Sequence, residues 1–245
     1  PTPNSSGSNS PNILFGSPQL QITILFCTFV KIPRQRLRMN YLYRMTHIDN
    51  LPHILRYGIT HCASANANQN YVPIGNLSLI SGRNSRFIET VCGTEYMLGD
   101  FIPFYFYARM PMLFNIQNGF GVPKLEPDNI IYLIVRIDSI TADPAREYFF
   151  SDHHAMCKRA KFYGKEHIGQ IDELLDKEAI LNNNWGDDYT IKERKQAEFL
   201  IKGDIPADLI TRLVCYNESV KSTLTRMLEE ANMAIPLTVN PEAYY

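Results

Sequence analysis

The chain has 245 residues, 45% hydrophobic and 20% charged, which excludes a disordered polymer and suits one or two globular domains with a real core. Its formal net charge is −1, so any contact with nucleic acid has to come from a local basic patch and not from bulk positive charge. Five dispersed cysteines (Cys27, Cys62, Cys92, Cys157 and Cys215) with no C-x-x-C pair argue against a disulfide framework and fit a reducing, cytoplasmic setting.

Residues 1–18 are rich in Ser, Asn and Pro and read as disordered. Leu20 to Val30 is a largely apolar run of 11 residues, too short for the roughly 20 that span a bilayer. The basic stretch Lys31 to Arg38 follows it, the reverse of the order in a secretory signal. Met39 directly precedes the first ordered-looking strand, so residues 1–38 are expected to be a non-native or dispensable extension. Residues 39–245 are then expected to form one domain without internal repeats.

Tyr41 to Thr46 reads as a strand. Asp49 or Asn50 can cap a helix that runs to Tyr57 and stops at Gly58. Residues 60–100 are polar and poor in periodicity, and read as one long functional loop. Phe101 to Tyr107 and Ile130 to Ile137 read as strands; 152–162 and 171–181 read as short helices. A strand at 196–202 follows, closed by Gly203-Asp204 and Pro206. Leu213 to Tyr216, a helix from Glu218 to Ala231 and a strand at 235–239 complete the chain. The runs of strand and helix are unequal, which gives an α+β class and not alternating βαβ units.

In the strand at 196–202, a period of two puts Gln196 and Glu198 on one face. A carboxylate beside an amide is a common grip on a sugar hydroxyl and an adjacent acceptor. The plain alternative is an edge strand with two polar residues outward. His153-His154-x-x-Cys157 offers no fourth ligand at zinc spacing, so no metal site is expected. Lys158, Arg159, Lys161, Lys192, Arg194 and Lys195 are basic, and Trp185 and Tyr189 add aromatic faces. That mixture suits single-stranded nucleic acid, although a solvated basic helix face is the bland reading.

Several blocks in order resemble the DarT family, the DNA ADP-ribosyltransferase toxins of DarT–DarG toxin–antitoxin pairs. They are Tyr43-x-x-Thr46-His47-Ile48-Asp49-Asn50-Leu51, Ile102-Pro103-Phe104-Tyr105-Phe106, Pro111-Met112-Leu113, Ser151-Asp152, Gln196-Ala197-Glu198-Phe199-Leu200 and Pro241-Glu242-Ala243-Tyr244-Tyr245. The resemblance covers roughly 41–245. It implies an ADP-ribosyltransferase-like fold, with central mixed or antiparallel sheets flanked by helices. It also implies transfer of ADP-ribose from NAD⁺, as co-substrate, to a thymidine base in single-stranded DNA.

On that resemblance Glu198 is the catalytic carboxylate, and Gln196 helps to place the acceptor. A loop arginine binds NAD⁺ and takes part in removing the acceptor's proton. Arg86 is set ahead of Arg83 for this role; on physical grounds an arginine, normally protonated, better binds phosphate and orients Glu198. Arg44, Met45 and Thr46 should offer backbone groups to the nicotinamide amide, with His53 and His61 lining the cofactor cleft and Tyr71 and Phe87 as stacking groups. His47 stands evenly between a functional role and that of a helix-entry histidine that only caps or packs. His153, His154, Lys158, Arg159, Lys195 and Gln196 are the expected DNA contacts. The expected partners are single-stranded DNA and a DarG-type macrodomain antitoxin that removes the mark, with no membrane, and the chain is expected to act as a monomer. An RNA or protein acceptor, or a non-catalytic nucleic-acid-binding module, are the competing readings.

Overall fold

A computed structural model describes residues 38–186 and 188–245; the expectations for residues 1–37 fall outside the described residues. The described residues begin with β1 (Tyr41–His47), a single 3-10 turn and α1 (Leu51–Tyr57). The polar stretch at 60–100 holds α2 (Leu77–Arg83) and a hairpin of β2 (Phe87–Glu89) and β3 (Glu95–Met97). Then come β4 (Phe101–Tyr105), α3 (Pro111–Asn118), β5 (Ile130–Arg136) and α4 (Ile137–Thr141). Next are β6 (Tyr148–Ser151), β7 (Phe162–Tyr163), α5 (Ile171–Leu174), α6 (Lys177–Leu181) and α7 (Tyr189–Lys195). The last four are β8 (Glu198–Lys202), β9 (Ile210–Cys215), α8 (Glu218–Glu230) and β10 (Leu237–Val239).

Eight strands form one sheet in the order β10-β9-β5-β1-β4-β8-β6-β7. Neighbours are antiparallel except β10 and β9, which α8 joins as the crossover that a parallel pair requires. The sheet is therefore mixed and the class α+β. Every residue of β5 except Arg136 is buried, because both faces of this strand are covered. Ile131, Leu133 and Val135 pack in one core with Leu42, the buried side of α1 and the Val220, Leu224, Leu228 stripe of α8. These three repeat at four-residue spacing, one face of a helix, and burying each contributes about 1.5–3 kcal/mol. Ile130, Tyr132 and Ile134 enter a second core with Leu113 and Ile116 of α3 and with Tyr244. A third core lies under the β2–β3 hairpin, around Phe101, Phe149 and Leu200.

Strand alternation puts Tyr43, Tyr105 and Glu198 on the face that carries the second and third cores. β1 and β4 are paired only at Tyr43 and Tyr105, so the strands part beyond that point. Arg44 reaches across the opening, its guanidinium donating to the Pro103 carbonyl at 2.8 Å.

Four expectations are corrected. The 60–100 stretch is not one loop, since it contains α2 and a hairpin. Residues 152–162 are not a helix: Asp152 N–H donates to the Lys161 carbonyl, and Lys161 N–H to the Asp152 carboxylate, closing a loop between β6 and β7. An Asp that accepts from the backbone in this way competes with helix formation. Residues 171–181 are two short helices broken at Leu175-Asp176, where the Asp176 side chain caps α6. The strand at 196–202 starts two residues late, because Gln196 still ends α7. Among the described residues no helix is long and apolar enough to cross a membrane, and the four described cysteines are free thiols. Met39 is buried, with its backbone N–H on the Asp172 carboxylate.

Candidate active site

Glu198 opens β8 at the buried centre of the sheet, and its side chain is 1% exposed. A carboxylate there has to be paired, and it is. Arg83, the last residue of α2, grips it with both terminal nitrogens, at 2.8 and 3.3 Å. Ala155 N–H donates to Oε1 at 2.9 Å, and His154 Nε2 lies 3.8 Å from the same oxygen. Burial pushes the Glu198 pKa up, but Arg83, His154 and the Ala155 amide together outweigh it and hold the group below the usual carboxylate range. Glu198 is thus an anion at neutral pH. The backbone holds it in turn: Glu198 N–H donates to Ser151 Oγ, whose hydroxyl donates to the His153 carbonyl at 2.6 Å.

Two more side chains frame the carboxylate, and a third stands one strand beyond on the same face. Tyr105 stands opposite Glu198 in the strand register; burial first and the Glu198 charge second push its phenol well up, so it stays neutral. His154 is pulled below its ordinary value, chiefly by burial and then by Arg83 and Arg86, against the attraction of Glu198. It is a neutral imidazole at pH 7. Tyr43 pairs across the strands with Tyr105 on the other side.

The structure reverses the order of the two arginines as the residue that orients Glu198. Arg83 holds that position. Arg86 lies past the Asn84 cap of α2 and turns away, its guanidinium donating to the Met156 and Cys157 carbonyls at 3.0 and 2.9 Å. It fastens the 153–159 turn to α2, and through that turn it supports His154 and Ala155.

The other expected site residues scatter. Thr46 is buried and its hydroxyl accepts from Asn50 Nδ2. Met45 packs into the second core. His47 caps the turn that follows it, accepting from Asp49 N–H. The His53 ring meets Tyr57 at a tilt, 4.9 Å between ring centres, and His61 sits with Nε2 2.8 Å from the Gly99 carbonyl. Phe87 is 74% exposed and Tyr71 is exposed too.

His153 faces Asp152 at 2.7 Å while His154 faces Glu198, so the adjacent histidines point to different partners. Arg159, Lys161 and Arg194 line one cleft together with His153, and Lys158 is exposed. Lys195 is a correction: it is fully buried, with Nζ on the Ile180 carbonyl, and burial pulls its pKa down to about 8. It is not a surface contact for a phosphate. Gln196 is a second correction, since it does not share the strand alternation of Glu198 and its amide donates back to Lys192 O.

Sequence reading missed Asn50, taken only as a cap. It is fully buried, and its amide both accepts from and donates to the Val72 backbone at 2.8 Å, tying the 61–76 loop to the turn that follows β1. Tyr105 and Ser151 were also missed as site residues. Each sits in a block that was noticed for resemblance, and alternation from Glu198 through the strand pairing would have reached Tyr105.

The profile of the family described as ssDNA thymidine ADP-ribosyltransferase, DarT, matches residues 43–245. A DNA ADP-ribosyl transferase of Escherichia coli O127:H6 is 31% identical over 207 residues, 83% of this chain and 93% of its own length. DarT of Thermus sp. 2.9, solved in complex with ADP-ribosylated ssDNA, superposes with a TM-score of 0.74 at 27% identity, over 84% of this chain and 96% of that one. The same Thermus protein solved with NAD⁺ gives a TM-score of 0.69. A Thermosipho africanus protein named as a fusion of DNA ADP-ribosyl transferase and DNA ADP-ribosyl glycohydrolase is 24% identical over 85% of this chain and 50% of its own length.

Proposed function

The chain belongs to the DarT family of ssDNA thymidine ADP-ribosyltransferases, enzymes that move ADP-ribose from NAD⁺ to a thymidine base, and on that premise we propose how its own residues divide the work. The single observation that carries the assignment is the buried, ionised Glu198 held by Arg83 and the Ala155 amide.

In the transfer, the bond between the ribose C1′ and nicotinamide breaks with its electron pair on nicotinamide, whose ring nitrogen loses its formal charge. Positive charge gathers on the ribose. Glu198 is the fixed anion that stabilises it, and removing such a preorganised group typically costs about 10²–10³ in rate. The thymine atom that attacks C1′ supplies the new bonding pair and releases a proton. His154, neutral and beside Glu198, is placed to take that proton and pass it to solvent. Arg83 orients Glu198, and Tyr105 and Tyr43 line the face on which the ribose would lie. The opening between β1 and β4 beside Arg44 suits a flat carboxamide seeking backbone partners.

The exposed bases at Lys158, Arg159 and Lys161 support a path for the phosphates of single-stranded DNA. The fusion in Thermosipho africanus of transferase and glycohydrolase supports a macrodomain antitoxin of DarG type as partner, with this chain as the toxin acting in the cytoplasm. The test is purified protein with labelled NAD⁺ and single-stranded DNA, RNA and protein competing as acceptors. Label is expected on thymidine-containing DNA, and a macrodomain glycohydrolase is expected to remove it. Label on RNA or protein instead would overturn the acceptor.

A further inference from the structure

A second feature lies apart from Glu198, where α3 faces the start of α7. Phe114, Phe120, Trp185, Tyr189 and Lys192 surround a cleft of about 200 Å³. Drug-sized pockets start at roughly 300 Å³, so this one fits a single ring system and not a whole dinucleotide.

Its floor is fixed. Trp185 Nε1–H donates to the Tyr245 hydroxyl at 3.0 Å, and that hydroxyl donates to the Arg109 carbonyl at 2.6 Å. Phe114 meets Trp185 edge-on at 5.5 Å and Tyr245 at 5.2 Å. The rim, by contrast, is open. Tyr189 is 72% exposed and Phe120 58%, so both rings are open to a ligand at the mouth of the cleft. Lys192 sits over both Trp185 and Tyr189, at 5.1 and 5.8 Å from the ring centres, so a cation stands beside the open faces.

We propose that this cleft stacks one base of the DNA strand that flanks the target thymidine, with Lys192 on the adjoining phosphate. The inference rests on the single-stranded DNA reading above and deepens it. Three features choose this occupant. Rigid aromatic faces with an adjacent cation are the combination that holds single strands irrespective of base identity. The charge complements a phosphate, and the volume suits one base. The cleft is also joined to the reaction centre by a short element: α7 rises about 1.5 Å per residue, about 10 Å in all, and β8 with Glu198 follows it directly. About three nucleotides cover that span at a stacked rise of about 3.4 Å. α7 is itself tied to the active-site turn, because the Glu193 carbonyl accepts from His154 N–H at 2.8 Å.

The test uses the full chain and a short thymidine oligonucleotide carrying 2-aminopurine at each flanking position in turn. One position is expected to lose fluorescence on binding, and Tyr189→Ala and Phe120→Ala are each expected to restore it. Both positions are surface-exposed, so folding tolerates them. KM for the oligonucleotide is expected to rise about tenfold per ring removed, while kcat at saturating oligonucleotide is kept. Quenching at no position, or equal quenching in both variants, would overturn the proposal. So would a rise in KM for NAD⁺ alone, which would give the cleft to the adenine of NAD⁺. Failure of the parent reading looks different: wild type would then bind and label no DNA at all, and this proposal would fall with it.

Discussion

At the scale of single residues, the pair Glu198–Arg83 decides most. Both partners are nearly out of solvent, so breaking the pair leaves a charge unpaired and costs about 3–5 kcal/mol of stability. Arg83→Lys keeps the charge but loses the two-pronged grip. It is expected to lower kcat about 10²-fold through misplacement of Glu198, measured by initial rates at saturating NAD⁺. Arg86→Lys removes two hydrogen bonds to the 156–157 carbonyls and is expected to cost about 1–3 kcal/mol in chemical unfolding, with a smaller effect on kcat. An equal loss of kcat in the two variants would contradict this ordering. The sequence could not rank these arginines, because they stand three residues apart at a helix end and only the cap geometry sends one inward and the other away. Lys195 shows the same limit. Among Lys192, Arg194 and Lys195 the bare sequence marks a basic patch, yet Lys195 points into the core. Lys195→Met is therefore expected to leave the salt dependence of DNA binding unchanged, while Lys158→Ala reduces its slope by about 1. Titration of binding against salt separates the two.

At the scale of elements, short segments fix the site's frame. Gly58 ends α1 at a φ of 83°, and a Cβ there would collide with the Ile205 carbonyl oxygen. Gly58→Ala is expected to destabilise by about 1–3 kcal/mol from backbone strain alone, visible as a lower denaturation midpoint. Asn50→Leu strips both hydrogen bonds that pin Val72 and leaves that backbone unsatisfied. It is expected to cost about 2–3 kcal/mol and to speed proteolysis within the 61–76 loop, a pair of effects that a simple cap would not link. β5 and α8 are legible from the sequence, since β5 is an apolar run buried on both faces and α8 carries a buried apolar stripe. The 152–162 segment was not legible: its polar residues bind their own backbone, and local side-chain competition overrides a weak helical pattern. The sequence pattern places β8 but starts it two residues early, because the helix that feeds it ends on Gln196 and leaves no breaker between them.

At the scale of the whole molecule, one face of one sheet gathers Tyr43, Tyr105 and Glu198 between two cores. Distant segments supply the rest: Arg83 from α2 and His154 from the β6–β7 loop. The sequence names Glu198, Arg83 and His154 separately but does not join them, since each partner lies more than 40 residues from the carboxylate and reaches it only through tertiary packing. This assembly also sets the acid response. His154 titrates below its ordinary value of 6.5 in the fold, so the unfolded chain takes up a proton first as pH falls below that value, and stability begins to drop there. Glu198 adds to the loss further down. Its depressed pKa gives a contribution that is complete above the ordinary carboxylate value of 4.5 and disappears as pH falls through the folded value. Denaturant midpoints against pH are expected to fall in those two windows, and His154→Gln is expected to remove the first. The same variant should flatten the acid limb of the kcat profile if His154 takes the thymine proton.

The most direct test of the central claim compares wild type with Glu198→Gln, using labelled NAD⁺ and a thymidine-containing single-stranded oligonucleotide, with folding followed by circular dichroism. The amide keeps the shape and most hydrogen bonds but not the charge. Label on DNA is expected with wild type, with transfer reduced about 10²–10³-fold in the folded variant. Transfer at the wild-type rate by a folded Glu198→Gln protein would contradict the role of this carboxylate in stabilising the ribose cation.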